Sequence, residues 1–132
     1  MILEEVISMK EFGFDVGSEP GSLAKIVDAL GKEHVNIEGI AGITAGDKGS
    51  IRLVTDNPGE ARNILRELQV EIEESEAIDI DLPNHPGELA TLLQRLASEG
   101  INVLSCYAAV ERNKVILTVD HIDRTKQILH LA

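Results

Sequence analysis

Ser18-Glu19-Pro20-Gly21-Ser22-Leu23-Ala24-Lys25-Ile26-Val27-Asp28-Ala29-Leu30 is followed, 66 positions on, by Asn84-His85-Pro86-Gly87-Glu88-Leu89-Ala90-Thr91-Leu92-Leu93-Gln94-Arg95-Leu96. Pro-Gly and Leu-Ala keep their places. Leu23, Ile26, Val27 and Leu30 recur as Leu89, Leu92, Leu93 and Leu96, and Asn36 recurs as Asn102. One module is written twice, and the fold must be read from the module.

The apolar set in each copy has helical spacing. Ahead of it, Phe12, Phe14 and Val16 alternate with Gly13 and Asp15, as Ile78, Ile80 and Leu82 alternate with Asp79 and Asp81. A period of two is a strand with one buried face. Gly100 suits the C-terminal cap of the second helix, and His34 stands at the matching place of the first. Val35-Asn36-Ile37 and Ile101-Asn102-Val103 open the next strands. Gly46-Asp47-Lys48-Gly49 reads as a hairpin turn and Glu111-Arg112-Asn113-Lys114 as its shorter copy, so the offset falls to 64. Ile51 and Leu53 then match Val115 and Leu117. Ile64 and Leu65 match Ile128 and Leu129 on a last helix, which Pro58 opens in the first copy.

Each unit reads strand–helix–strand–strand–helix, with Val70–Glu74 as a closing strand in the first. The expected fold class is α+β: two ferredoxin-like βαββαβ units, antiparallel sheets of order 4-1-3-2 with helices on one face. The expected units are residues 1–75 and 76–132. The second lacks its own last strand. Residues 3–8 align with 69–74, so two long antiparallel strands, about 3–16 and 70–82, would exchange closing strands between the units. Units of about 65 residues are near the lower limit for folding alone, so each leans on the other or on a second copy.

The bulk numbers exclude several functions. Twelve basic and 23 acidic side chains give a net charge of −11. Residues 1–75 carry 7 basic and 15 acidic side chains (−8), and residues 76–132 carry 5 and 8 (−3). No basic stripe exists to hold nucleic acid or an anionic membrane. A single cysteine, Cys106, forms no internal disulfide and fits a reducing compartment; it reads as a small buried strand residue. No apolar run is long enough to span a bilayer, and Glu4 and Glu5 stand where a signal peptide would be basic. The expectation is a soluble cytoplasmic protein. His34, His85, His121 and His130 lack metal-ligand spacing, and Glu71, Glu73, Glu74 and Glu76 read as a wet strand face. No nucleophile constellation or phosphate loop is present, so no enzyme is expected and no cofactor.

The candidate site starts from the Pro-Gly steps. Pro20 and Pro86 fit the first helical position. The N–H groups that follow, on Gly21, Ser22 and Leu23 and on Gly87, Glu88 and Leu89, lack partners within the helix and attract a carboxylate. Asn36 and Asn102 offer amide donors and an acceptor at a strand start. An intervening helix of about 14 residues, roughly 20 Å, keeps each Asn from its own unit's loop, so a site using both forms between units. Both features also fit plain turn and cap roles.

With Ser18-Glu19-Pro20-Gly21-Ser22-Leu23-Ala24 and Asn84-His85-Pro86-Gly87-Glu88-Leu89-Ala90 set beside Val35-Asn36-Ile37 and Ile101-Asn102-Val103, the chain resembles the ACT-domain family over nearly all of residues 9–132. The resemblance implies a stand-alone regulatory pair that binds an amino acid between ACT units, with the loop of one and the Asn of its neighbour. It implies Ser18, Glu19, Gly21, Ser22, Leu23 and Asn36, and Asn84, His85, Pro86, Gly87, Glu88, Leu89 and Asn102, as ligand residues. Asn84 keeps the family's loop asparagine where the first copy has Ser18 beside an acidic Glu19, so the Asn84 loop is the better expected site. A small-molecule ligand, a homodimer and an enzyme of amino-acid metabolism are the expected partners. The alternative is a subunit that docks on a metabolic enzyme without binding an amino acid.

Overall fold

The computed structural model describes residues 6–83, 85–109 and 113–130. The elements are β1 (Val6–Gly17), α1 (Ser22–Lys32), β2 (Ile37–Ala45), β3 (Lys48–Thr55), α2 (Pro58–Glu67), β4 (Glu73–Asp81), α3 (Glu88–Ser98), β5 (Val103–Ala109), β6 (Lys114–Val119) and α4 (Ile122–His130). Residues 9–75 form one compact unit. Residues 76–132 form the other, which also takes in the start of β1 before Met9. Of the segment expected to exchange, residues 3–5 lie outside the described residues and Val6–Ser8 open β1.

In the unit of residues 9–75, β3 pairs antiparallel with β1 on one side and β2 on the other. Phe12 stands opposite Leu53, and Phe14 opposite Ile51. These four share one face and pack with Ile26 and Leu30 of α1 and Ile64 and Leu65 of α2 in a single cluster. Both helices therefore cover the same face of the sheet. Phe12, Leu30 and Leu65 are fully buried; truncating a leucine so placed to alanine costs about 2–5 kcal/mol.

The unit of residues 76–132 repeats this. β6 lies between β4 and β5, with Ile78 opposite Leu117 and Ile80 opposite Val115. Leu92, Leu96, Ile128 and Leu129 complete its core. The change of offset from 66 to 64 is real: Phe12–Leu53 becomes Ile78–Leu117. A bulge recurs at Ile37/Gly39 and Val103/Ser105, a feature the periodicity did not reveal.

The helix ends are set by backbone chemistry. His34 (φ 57°), Gln69 (φ 61°) and Gly100 (φ 75°) are left-handed. Each closes a helix with the same two bonds. His34 N–H donates to Gly31 C=O and Val35 N–H to Leu30 C=O; Gly100 and Ile101 donate to Ala97 and Leu96, and Gln69 and Val70 to Arg66 and Leu65. This is the Schellman arrangement, and it carries Val35 and Ile101 directly into the core. Pro58 opens α2, where Asn57 Oδ1 accepts from Glu60 N–H at 3.2 Å.

Three readings change. The hairpin loop is only Gly46-Asp47, because Lys48 and Gly49 already pair in β3. The closing strand begins at Glu73 and not at Val70, whose N–H is committed to ending α2. Continuity holds as expected: Glu73–Asp81 is one strand. Cys106 is exposed on β5 and not buried; partial desolvation raises its thiol pKa, which disfavours the thiolate.

Arg62 of α2 clamps the start of β4. It donates to both oxygens of Glu74 at 2.7 and 2.6 Å and lies 5.9 Å from the centroid of Phe12. These hydrogen bonds lower the Glu74 pKa against a smaller desolvation effect. Glu71, Glu73, Glu74 and Glu76 are otherwise an exposed series. Among the described residues no group of three or more His, Cys, Asp or Glu could hold a metal ion, and no helix is long and apolar enough to cross a membrane.

Two predictions follow from the helix ends and the clamp. Gly100→Ala forces an alanine into a left-handed conformation and should lower unfolding free energy by about 1–2 kcal/mol, whereas His34→Gly should raise it; urea denaturation of both variants decides. Because the Glu74 pKa is depressed on folding, its stabilisation is present above the unfolded carboxylate pKa, about 4.3, and is lost as pH falls through the folded value. Urea midpoints measured from pH 7 to pH 3 should therefore fall more for the native chain than for Glu74→Gln.

Candidate ligand-binding loops

The two Pro-Gly steps are not helical. Gly21 (φ 90°, ψ −6°) and Gly87 (φ 88°, ψ −11°) are left-handed N-caps, and α1 and α3 begin only at Ser22 and Glu88. Ser22 N–H donates to Glu19 C=O and Glu88 N–H to His85 C=O, each at 3.2 Å. With proline second and a left-handed glycine third, both are type II β-turns. Placing Pro20 and Pro86 at the first helical position is thereby corrected. The left-handed glycine breaks the helical path, and the prolines sit two residues before it starts.

This turn leaves an open helix start. Neither N-cap supplies a side-chain acceptor, since glycine has none. The N–H groups of Leu23 and Ala24, and of Leu89 and Ala90, fall in the first turn, where the helix itself provides no partner. Ser18, Glu19 and Gly21, like His85, Pro86 and Gly87, are exposed, while Ser22, Leu23, Glu88 and Leu89 are half-buried. Asn84 lies outside the described residues. A carboxylate at such a start gains from both the free donors and the helix dipole. The two loops differ. The first turn of α1 holds no acid, whereas α3 carries Glu88, and Thr91 Oγ1 donates back to Gly87 C=O at 2.9 Å.

Asn36 and Asn102 sit at the opposite end of each unit. Asn36 N–H donates to Asp56 Oδ1 at 2.9 Å and its carbonyl accepts from Asp56 N–H at 3.1 Å. Asn102 and Asp120 repeat this at the same two distances. The backbone of each asparagine is thus pinned to the end of the central strand, and its exposed side chain is left over. Asp56 and Asp120 escaped the sequence reading, although their recurrence 64 positions apart was a visible signal.

Within a unit the loop and the asparagine do not meet. Ser18 N–H donates to Asp47 C=O at 3.3 Å, so the first Pro-Gly loop sits at the β2–β3 turn. Asn36 is at the far end of β2. Between them runs α1, whose 11 residues span about 16 Å.

Removing the pin should be felt locally. Asp120→Ala takes away the acceptor of a charge-assisted hydrogen bond and should cost about 1 kcal/mol in urea denaturation. It should also speed amide exchange at Asn102 relative to Asn36; Asp56→Ala should reverse that pattern.

No curated protein matches the chain by sequence. Protein BT0572 from Bacteroides thetaiotaomicron overlays with a TM-score of 0.83 at 22% identity, over 94% of this chain and 88% of that one. The ligand-free regulatory subunit of aspartate kinase from Thermus thermophilus overlays at 0.73 and 16% identity, over 100% and 99%. E. coli aspartokinase III in complex with lysine and aspartate overlays at 0.55 and 15% identity, over 98% of this chain and 32% of that one. At these identities the likeness shows the fold. Residues 7–132 match the family model described as an ACT domain pair, so both repeats lie within the match, and the chain belongs to that family.

Proposed function

We propose that this ACT pair is a non-catalytic regulatory module that binds a small ligand, an amino acid of small or medium size, between ACT units. The carrying observation is the twice-built helix start: a type II turn, a left-handed glycine cap and first-turn N–H groups without a side-chain cap. The ligand's carboxylate takes those N–H groups. Its ammonium is received by side-chain oxygens and carbonyls of the loop, with Asn84 the better loop asparagine and Glu19 the acidic counterpart in the first copy. The amide of Asn36 or Asn102 comes from a neighbouring unit, since its own unit holds it at the far end. A ligand touching two units stabilises their closed arrangement by its differential affinity, and that shift is the signal. A regulatory subunit of aspartate kinase and an aspartokinase holding lysine and aspartate share this fold, which supports the reading.

A homodimer is the assembly this reading favours. The large exposed apolar side chains among the described residues are Ile40, Ile43 and Leu104, and all lie on β2 and β5. β2 carries a single charge, Glu38, and Val103–Ala109 carries none. For a chain of net charge −11, such weakly charged surface is where a second copy meets least repulsion. The same observation favours the second reading, a subunit that docks on an enzyme of amino-acid metabolism by a bare sheet edge. The lone cysteine supports a reducing, cytoplasmic setting.

A thermal-shift screen of the twenty amino acids tests the proposal. A ligand at 100 times its Kd adds about 2.7 kcal/mol and raises the melting temperature. The expected result is a hit abolished by Asn84→Ala. A hit that survives Asn84→Ala and is lost in Glu19→Ala moves the site to the first loop. No shift with any amino acid overturns amino-acid binding and leaves the docking subunit.

A further inference from the structure

A cleft of about 810 Å³ opens within the unit of residues 9–75, and its lining runs from Lys48, near the Pro-Gly loop, to Glu73. Gly13, Asp15, Ser50 and Arg52 alternate with the core residues Phe12, Phe14, Ile51 and Leu53, so they belong to the sheet face that the helices leave bare. Arg52 is half-exposed, and its Nη1 stands 3.3 Å from Oε1 of Glu11, which is 1% exposed. The guanidinium reaches that carboxylate by lying across Gly13: Nη1 is 2.9 Å from where a Cβ at position 13 would be. Glycine here is the condition for the arginine's pose. The second repeat has Asp79 and Ile116 at the matching places. There the buried Asp79 accepts from Lys114 at 3.1 Å.

We propose that this cleft binds a small zwitterion, its carboxylate on the outer edge of the Arg52 guanidinium and its amine toward the Glu71 and Glu73 side. A buried carboxylate holds the guanidinium in place while leaving donors to spare, an arrangement suited to a second carboxylate. Charge decides the rest. Lys48, Arg52 and Arg66 line the cleft together with Asp15, Glu71 and Glu73, three of each sign. A simple anion meets the acids, and a simple cation leaves the arginine unused. A molecule carrying both charges several bonds apart satisfies both sides, in a volume ordinary for small-ligand sites. This site does not rest on the Pro-Gly loop reading.

The test is NMR titration of the native chain with 6-aminohexanoate, hexanoate and hexylammonium, followed at the Gly13 amide and the Arg52 Nε–H. The expected result is a saturable shift with 6-aminohexanoate and at least about tenfold weaker responses to the two half-molecules, a difference of about 1.4 kcal/mol. Glu71→Gln with Glu73→Gln, both exposed positions, should weaken the zwitterion about tenfold toward the response of hexanoate, as should Arg52→Lys by losing the planar fork. Asn84→Ala should leave the titration unchanged. An equal response to hexanoate, a response confined to residues outside the cleft, or no response to any probe overturns the proposal.

Discussion

Each unit has one apolar sheet face, and hiding it under two helices is the constraint from which everything else in the unit follows. Phe12, Phe14, Ile51 and Leu53 on one sheet, and Ile78, Ile80, Val115 and Leu117 on the other, must be covered by stripes only two or three turns long. The helices therefore have to start and stop at defined places. Left-handed residues fix both ends of α1, Gly21 at its start and His34 at its stop, as Gly87 and Gly100 fix α3. At the stop, Val35 and Ile101 enter the core one residue past the cap, and an asparagine comes next.

The candidate site is a by-product of that termination chemistry. A glycine cap contributes no side chain, so the first turn is left with donors and no acceptor. A helix stop closed by backbone bonds alone leaves the following asparagine free to bond through its main chain to Asp56 or Asp120, with its amide group to spare. The same two devices that give the helix its length thus place a donor cluster at one end of the unit and an amide at the other. Their separation is what makes a two-unit site necessary for any ligand using both.

The repeats have diverged where packing tolerates it. His34 against Gly100 changes the strain of a cap, not its hydrogen bonds. Gly13 with Arg52 against Asp79 with Ile116 changes the ion pair on that sheet face, from Arg52 on Glu11 to Lys114 on Asp79. Most core positions change only among apolar residues; where Ala61 becomes Thr125, the buried hydroxyl donates to His121 C=O at 2.8 Å, as a polar side chain taken out of water requires.

Strand and helix order, the antiparallel plan, the left-handed stops at His34 and Gly100 and the division of each helix into core and solvent faces were legible in the sequence, because periods of two and 3.6 and turn chemistry are local properties. The family and the loops that bear its motif were legible for the same reason: a short pattern appearing twice in register. The type II geometry of the Pro-Gly steps was not, since proline followed by glycine suits either a turn or a helix start, and only the glycine's φ separates them. Nor were the Asn–Asp pins, the Arg62–Glu74 clamp or the Arg52–Glu11 pair, whose members stand 12 to 41 positions apart. Sequence determined which residues must be buried and where helices end. Tertiary structure alone decided which polar groups meet, because that depends on strand register and on what the fold brings within hydrogen-bonding distance.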